Sequence, residues 1–236
     1  MFPAGALADI VRVAMRVLYH LPLHPGCRKI RLLLHEKKLE FELKAEQVWQ
    51  RREGFLRLNP SGEVPVLVER DGVVIAETPV LAEYLEEAYP ETGFLGDTAL
   101  DRAETRRLAW WFDWKFHQEV TANLVDEKIF KRFMKAGQPD SQAIRAGHAN
   151  IRYHLDYIAW LCDRRTWLAG DTFSLADIAA AAQLSAVDYL GDVAWDPVPG
   201  AKDWYARVKS RPSMRGILTD SIAGLAPPPH YADLDF

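Results

Sequence analysis

NPSGEVPVLVERDGVVIAETPVLAEYLEEAY, residues 59–89, is the stretch from which the fold can be read. It opens on a turn cluster, Asn59-Pro60-Ser61-Gly62, and runs into the apolar Val64-Pro65-Val66-Leu67-Val68. Asp71-Gly72 follows, and both residue types tolerate positive φ, so a tight reversal is expected there. Val73-Val74-Ile75-Ala76 is the second apolar run, and two such runs about Asp-Gly predict a β-hairpin. Pro65 cannot donate to a ladder, which restricts its strand to an edge or to a cis bond at its start. Glu77-Thr78 and Pro79 then mark a helix start, with Leu81, Tyr84, Leu85 and Ala88 at helical spacing. A helix that begins there aims free N–H groups and a positive dipole at whatever lies in front of it. The unit is strand, turn, strand, helix, suited to holding a small anionic group.

These residues carry a family resemblance. Gly62-Glu63-Val64-Pro65-Val66-Leu67, Asp71-Gly72 and the run from Glu77 to Leu85 resemble the second half of the thioredoxin-like domain of glutathione S-transferases. The resemblance implies a cis bond before Pro65, a Val64 backbone offered to the glutathione peptide, and a γ-glutamyl carboxylate held at Glu77-Thr78. It covers roughly residues 15–220.

The rest of the chain agrees. Residues 16–20 are a buried first strand and residues 27–36 a helix with Ile30, Leu33 and Leu34 inward and Arg28, Lys29 and Arg31 outward. Residues 39–43 alternate in period two as a second strand, completing a right-handed crossover. The order β-α-β-α-β-β-α is thioredoxin-like. After a polar linker the chain turns helical: residues 103–125, 143–162, and an alanine-rich buried helix opened by Ser174 with Asp177 as a capping-box variant. The fold class expected is α/β plus all-α: a flexible arm at 1–14, a thioredoxin-like domain at 15–92, a linker at 93–102, a helical domain at 103–222, and a Pro-rich recognition tail at 223–236. The arm is alternatively the product of an upstream start codon.

Composition narrows the function. The 236 residues are 49% hydrophobic and 26% charged with net charge −4, enough for two cores. The balance gives no electrostatic reason to expect nucleic acid. No apolar run spans a bilayer, so no membrane insertion is expected. The start lacks a basic n-region and a cleavage pattern and is not read as a signal peptide. Two cysteines fit a reducing cytosol.

A glutathione transferase lowers the pKa of the thiol, because the thiolate is the nucleophile. The residue that does so lies before the first helix, and the resemblance places His24 where a serine would stand. Cys27 falls where a C-x-x-C redox protein has its second cysteine, without the attacking thiol. His24 is either a proton donor to sulfur or a partly exposed loop residue; Cys27 is a redox thiol or a small hydrophobe; Tyr19 is a hydroxyl for the site or points into the core. Trp49, among charges, is a lid or contact anchor, or packs on residues 55–58. Trp110, Trp111, Trp114 and Phe116 read as core and domain interface. His117 and Glu119 lack a third ligand, so neither metal nor cofactor is expected. The basic tract 128–135 is a solvated helix or a docking surface for an acidic partner.

The tail ends Pro227-Pro228-Pro229 and then HYADLDF. Tyr231, Asp233, Leu234, Asp235 and Phe236 alternate acidic and bulky groups on a stiff spacer, which suits a linear recognition element; the alternative is that the tail folds back on its own domain. It closely resembles the C-terminus of the FtsZ-localised protein A family, glutathione-transferase-like division proteins of α-proteobacteria. That resemblance implies a non-catalytic, cytoplasmic adaptor at the division site. It implies a homodimer that binds polymerised FtsZ and reaches the septal wall-synthesis machinery through its tail. His24, Val64, Pro65, Glu77 and Thr78 would then be vestigial. The rival is a glutathione transferase or thiol enzyme using His24, Tyr19 or Cys27.

Overall fold

The computed structural model describes residues 14–234; residues 1–13 of the expected arm, Asp235 and Phe236 lie outside them. Strand β1 (Arg16–His20) leads into α1 (Pro25–Glu36), β2 (Phe41–Ala45), a 3-10 turn (Val48–Gln50), α2 (Glu53–Leu56), β3 (Val66–Val68), β4 (Val74–Ala76) and α3 (Thr78–Ala88). The sheet order is β2-β1-β3-β4. Leu18 stands opposite Leu43 in the parallel β1–β2 pair and opposite Leu67 in the antiparallel β1–β3 pair.

The hairpin expected about Asp71-Gly72 is present, but only Gly72 takes positive φ, at 87°. Asp71 instead accepts the Val73 N–H on its side chain at 3.1 Å, and Glu69 N–H donates to Val73 at 2.8 Å. This is a three-residue loop closed by a left-handed glycine. The Val64–Pro65 bond is cis, and β3 begins only after it.

Strand β2 starts at Phe41, two residues later than its sequence pattern suggests. Leu39 and Lys38 are consumed in ending α1: Lys38 adopts φ 56° and donates to His35, while Leu39 N–H reaches back to Leu34 at 2.9 Å. That is the paired bonding of a Schellman motif, with lysine where glycine is usual.

The helical half opens at Ala99, earlier than the expected 103, because Thr98 and Asp101 form a capping box. Helix α4 (Ala99–Trp110) continues directly into a π-wound stretch, Trp111–Phe130, and a last turn, α5 (Lys131–Phe133). The wide winding explains the burial pattern. Phe112, Phe116, Val120, Leu124 and Ile129 are buried at steps of four to five residues, longer than the 3.6 of an α-helix. Helix α6 (Ser141–Cys162) packs on this rod. Helix α7 (Leu175–Asp188) is buried along its whole length, as its alanine run suggested. Its capping box is complete: Ser174 N–H and Oγ–H both donate to Asp177 Oδ2, at 3.0 and 2.9 Å, and the buried Trp204 indole donates to Oδ1 at 2.9 Å. Helices α8 (Pro199–Lys209) and α9 (Arg215–Leu218) complete the domain.

One assignment on α1 is overturned. Arg28, Lys29 and Arg31 do not face solvent; all three are buried. Helix α1 packs against α7 and α3 and, toward its end, against residues 212–218, so its polar side is covered as well. Charge pairing from the distant helical half makes this tolerable: Lys29 meets Asp113, while Arg28 and Arg31 share Asp220 at 3.0 and 2.8 Å.

Candidate functional site: a cleft between the two halves

The N-termini of α1 and α3 converge on one cleft of about 220 Å³, walled by the long helix of the second half. The approach is close. A Cβ on Gly26 would lie 2.2 Å from Thr78 Oγ1, so only glycine fits at that turn of α1. Gly26→Ala is therefore expected to push the two helix starts apart and to cost about 1–3 kcal/mol, as overpacking does. A thermal melt measures it, and an unchanged midpoint would contradict the contact.

Glu77, just before Thr78, holds φ 71° and ψ 128° although it carries a side chain. Backbone of this kind costs about 1–3 kcal/mol and tends to mark functional sites. Ser61 Oγ–H donates to its carboxylate at 3.2 Å. Val64 is buried beside the cis bond.

His24 is the N-cap of α1. Its Nδ1 accepts the Cys27 N–H at 3.3 Å. In neutral imidazole that places the proton on Nε2. Burial, with nearby His117 second, pushes its pKa down to about 4, so the ring is uncharged at neutral pH. His24 is thus the partly exposed residue just before α1, on the cleft wall, with Nε2–H as its remaining donor. Cys27 is fully buried, accepts the Leu21 N–H at 3.4 Å, and burial pushes its thiol up to about 12. It behaves as the small hydrophobe, not as a thiolate. Tyr19 packs on Phe55 with Lys44 over its ring, away from the residues that line the cleft.

From the other half come His117, Gln183 and the Trp110–Trp114 pair, which the sequence did not offer as site residues. Gln183 Oε1 is taken by the Thr121 hydroxyl at 2.6 Å, which leaves its amide nitrogen for the cleft. Trp110 and Trp114 are not core: they stack in parallel, 6.2 Å apart, and are 59% and 50% exposed. Adjacent aromatics on a rod buried on one side cannot all face inward. The cleft therefore offers helix N-termini and the His24 and Gln183 donors, with Asp113, paired to Lys29, on its wall, and no thiol-activating hydroxyl from α1. No group of three His, Cys, Asp or Glu able to hold a metal occurs among the described residues.

Two surfaces outside the cleft carry the remaining candidates. Trp49 stacks on Phe133 of α5 at 5.8 Å, bridging the two halves rather than resting only on residues 55–58. Exposed Met134 and the basic tract lie next to it, although Lys128 and Lys131 are held by Asp192 and Glu127. In the tail, Tyr231 is not an exposed anchor. It is fully buried, because the chain after the prolines folds back onto the helical half. Leu234 is 43% exposed, and the Asp233 carbonyl accepts from Lys209.

Comparison with known proteins agrees with this geometry. The model of the glutathione S-transferase N-terminal domain matches residues 25–88, and that of the C-terminal domain matches residues 114–212. The chain belongs to the glutathione S-transferase family. It is 49% identical to FtsZ-localized protein A from Caulobacter vibrioides (strain NA1000 / CB15N) over 94% of this chain and 98% of the relative. The structure of FzlA from C. crescentus superposes with a TM-score of 0.90 at 48% identity, covering 94% of this chain and all of that one. A glutathione S-transferase from Rhodospirillum rubrum F11 superposes with a TM-score of 0.92 at 57% identity, over 94% and 100% of the two chains. The resemblance to the FtsZ-localised protein A family and the thioredoxin-like plus helical architecture are both borne out. No helix among the described residues is long and apolar enough to cross a membrane.

Proposed function

We propose that this protein is a non-catalytic adaptor of cell division that binds FtsZ filaments, organises them and couples them to septal wall synthesis. The observation that carries the reading is the state of the cleft. Its peptide-holding frame is kept, while the position for thiol activation holds a neutral histidine locked to the Cys27 N–H. The likeness to FtsZ-localized protein A supplies the partner. The site of action is then cytoplasmic, at the division plane, and no cofactor is needed. A homodimer would present each surface twice and gain avidity on a polymer.

The filament contact is placed at Trp49 and the adjoining end of the long helix. Co-sedimentation with FtsZ polymers, with and without GTP, is the test. Trp49→Ala is expected to weaken pelleting by roughly 30-fold, the loss of an aromatic anchor. Pelleting equal to wild type would remove Trp49 from the contact. The tail serves a second partner. Because Tyr231 is part of the folded body, the informative truncation removes 233–236: pelleting should persist while constriction fails. Loss of pelleting would refute that division of labour.

A second reading, a glutathione transferase, is favoured by the preserved frame: the close Gly26–Thr78 approach, the strained Glu77 and the free Nε2–H of His24. Calorimetry with glutathione and turnover of a chloronitrobenzene separate the two. Binding with turnover selects the enzyme, and binding alone a ligand module.

A further inference from the structure

Arg28 is fully buried in the first turn of α1, and its guanidinium faces three parts of the chain at once. Nε–H donates to the Pro22 carbonyl at 2.7 Å, in the loop that carries His24 to the cleft. Nη1 donates to the Tyr231 hydroxyl at 3.0 Å and Nη2 to Asp220 at 3.0 Å. The Tyr231 hydroxyl in turn donates to the Ile217 carbonyl at 3.1 Å, and its ring packs edge-on against Tyr189 at 5.2 Å. The segment is fastened on both sides of Tyr231: His230 meets buried Asp188 at 3.1 Å, and Lys209 donates to the carbonyls of His230 and Asp233.

From this geometry we infer that Arg28 is a positioning residue that makes the C-terminal segment and the cleft loop open as one unit. The fork is rigid and planar, so its three bonds share one orientation. When Tyr231 leaves, a buried cation loses an acceptor, and the arginine must turn to recover one. Turning breaks the bond to Pro22. The loop then loses the support behind His24, whose ring caps the same helix turn. A partner that takes hold of Tyr231 must open this clasp and loosens the cleft loop. A partner that reads only residues beyond Asp233 leaves it shut. By linkage, whatever stiffens the loop holds the tail in. The coupling does not depend on what either end binds.

Native-state hydrogen exchange tests it on the unaltered protein. The amides of Cys27, Arg28 and Tyr231, each hydrogen-bonded, should show protection factors within about threefold of one another, falling with the same slope in low urea. Tyr231→Phe keeps the ring and removes the hydroxyl. It should speed exchange in both segments by about tenfold or more while α6 is unchanged. Leu234→Ala, on the exposed side, should change neither. Separate slopes in the wild type, or a variant that frees the tail and leaves residues 21–28 as protected as before, overturns the coupling.

Discussion

Asp220→Ala is expected to cost about 3–5 kcal/mol, more than any single surface change in this chain. Asp220 accepts from Arg28 at 3.0 Å and from Arg31 at 2.8 and 2.9 Å. Arg28 is fully buried, Arg31 nearly so, and the aspartate itself is only 9% exposed. The pairing is not a large net source of stability, because desolvating these ions offsets most of their attraction. Removing one member is different. Two guanidinium groups are left in a low-dielectric space with one carboxylate fewer, and that loss is the 3–5 kcal/mol typical of a broken buried pair. For a chain of this length the melting midpoint should fall by roughly 10 °C. The urea midpoint should fall with little change in slope. The exposed Arg106–Glu83 pair, bidentate at 2.9 and 2.8 Å, is the control: Glu83→Ala should change stability by less than about 1 kcal/mol. An Asp220→Ala melt within 2 °C of wild type, or an equal loss from Glu83→Ala, would mean that the junction contributes nothing special.

The same junction shows where the sequence is silent. The hairpin, α3 and the cap of α7 were legible because their signals are local. A turn dipeptide, a proline at a helix start and a serine three residues before an aspartate each act within one turn of chain. Arg28, Lys29 and Arg31 were misread because an amphipathic pattern assumes water on the polar side. Their acidic partners lie far along the chain, 192 residues away for the Arg28–Asp220 bond, so no window of sequence contains both. Trp110 and Trp114 failed for a related reason. Four-residue spacing among aromatics predicts a stripe, but not which stripe, and the widened winding after Trp110 shifts the phase. The cleft residue Thr78 was found by motif, together with its neighbours Glu77 and Val64 outside the cleft lining. His117 and Gln183 were not, because they reach the cleft only through packing of the second half. For Tyr231, alternating acidic and apolar residues fit an exposed motif and a folded-back strap equally well. What decides between them is Arg28, and nothing near residue 231 records it.

Stability should fall on mild acidification, between about pH 6.5 and pH 4, and the histidines set the window. Burial pushes His20 down to about 4, aided by the charge of Arg31, and pushes His24 down to about 4 as well. His35 and His154 are lowered, again chiefly by burial. For His154 the geometry agrees: its Nδ1 accepts the Trp111 indole N–H at 3.1 Å, a bond that protonation would forbid. The sign follows from proton counts. Below pH 6.5 the unfolded chain binds protons on these rings and the folded chain does not, so unfolding gains at each step down in pH. Above pH 7 both forms are neutral and the term vanishes. For His20, 6% exposed, a shift of this size corresponds to about 3 kcal/mol lost by pH 4, at about 1.4 kcal/mol per unit. Two buried carboxyls oppose it: burial raises Asp177 and Asp188, so the folded chain keeps their protons longer. Neither is paired with an arginine: Asp177 accepts from Ser174, Leu168 and Trp204, and Asp188 from Trp195 and His230. Their effect begins at the acid end of the window. Glu104, held down to about 2 chiefly by Arg107, only begins to lose its contribution there. Calorimetry at pH 7, 6 and 5 should therefore show a midpoint that is flat above 7 and drops steadily below 6.5. His20→Asn should lower the midpoint at pH 7 yet flatten the drop, because one proton acceptor of the unfolded chain is gone. A midpoint unchanged from pH 7 to pH 5, or an undiminished drop in His20→Asn, would show that these rings are not held neutral by the fold.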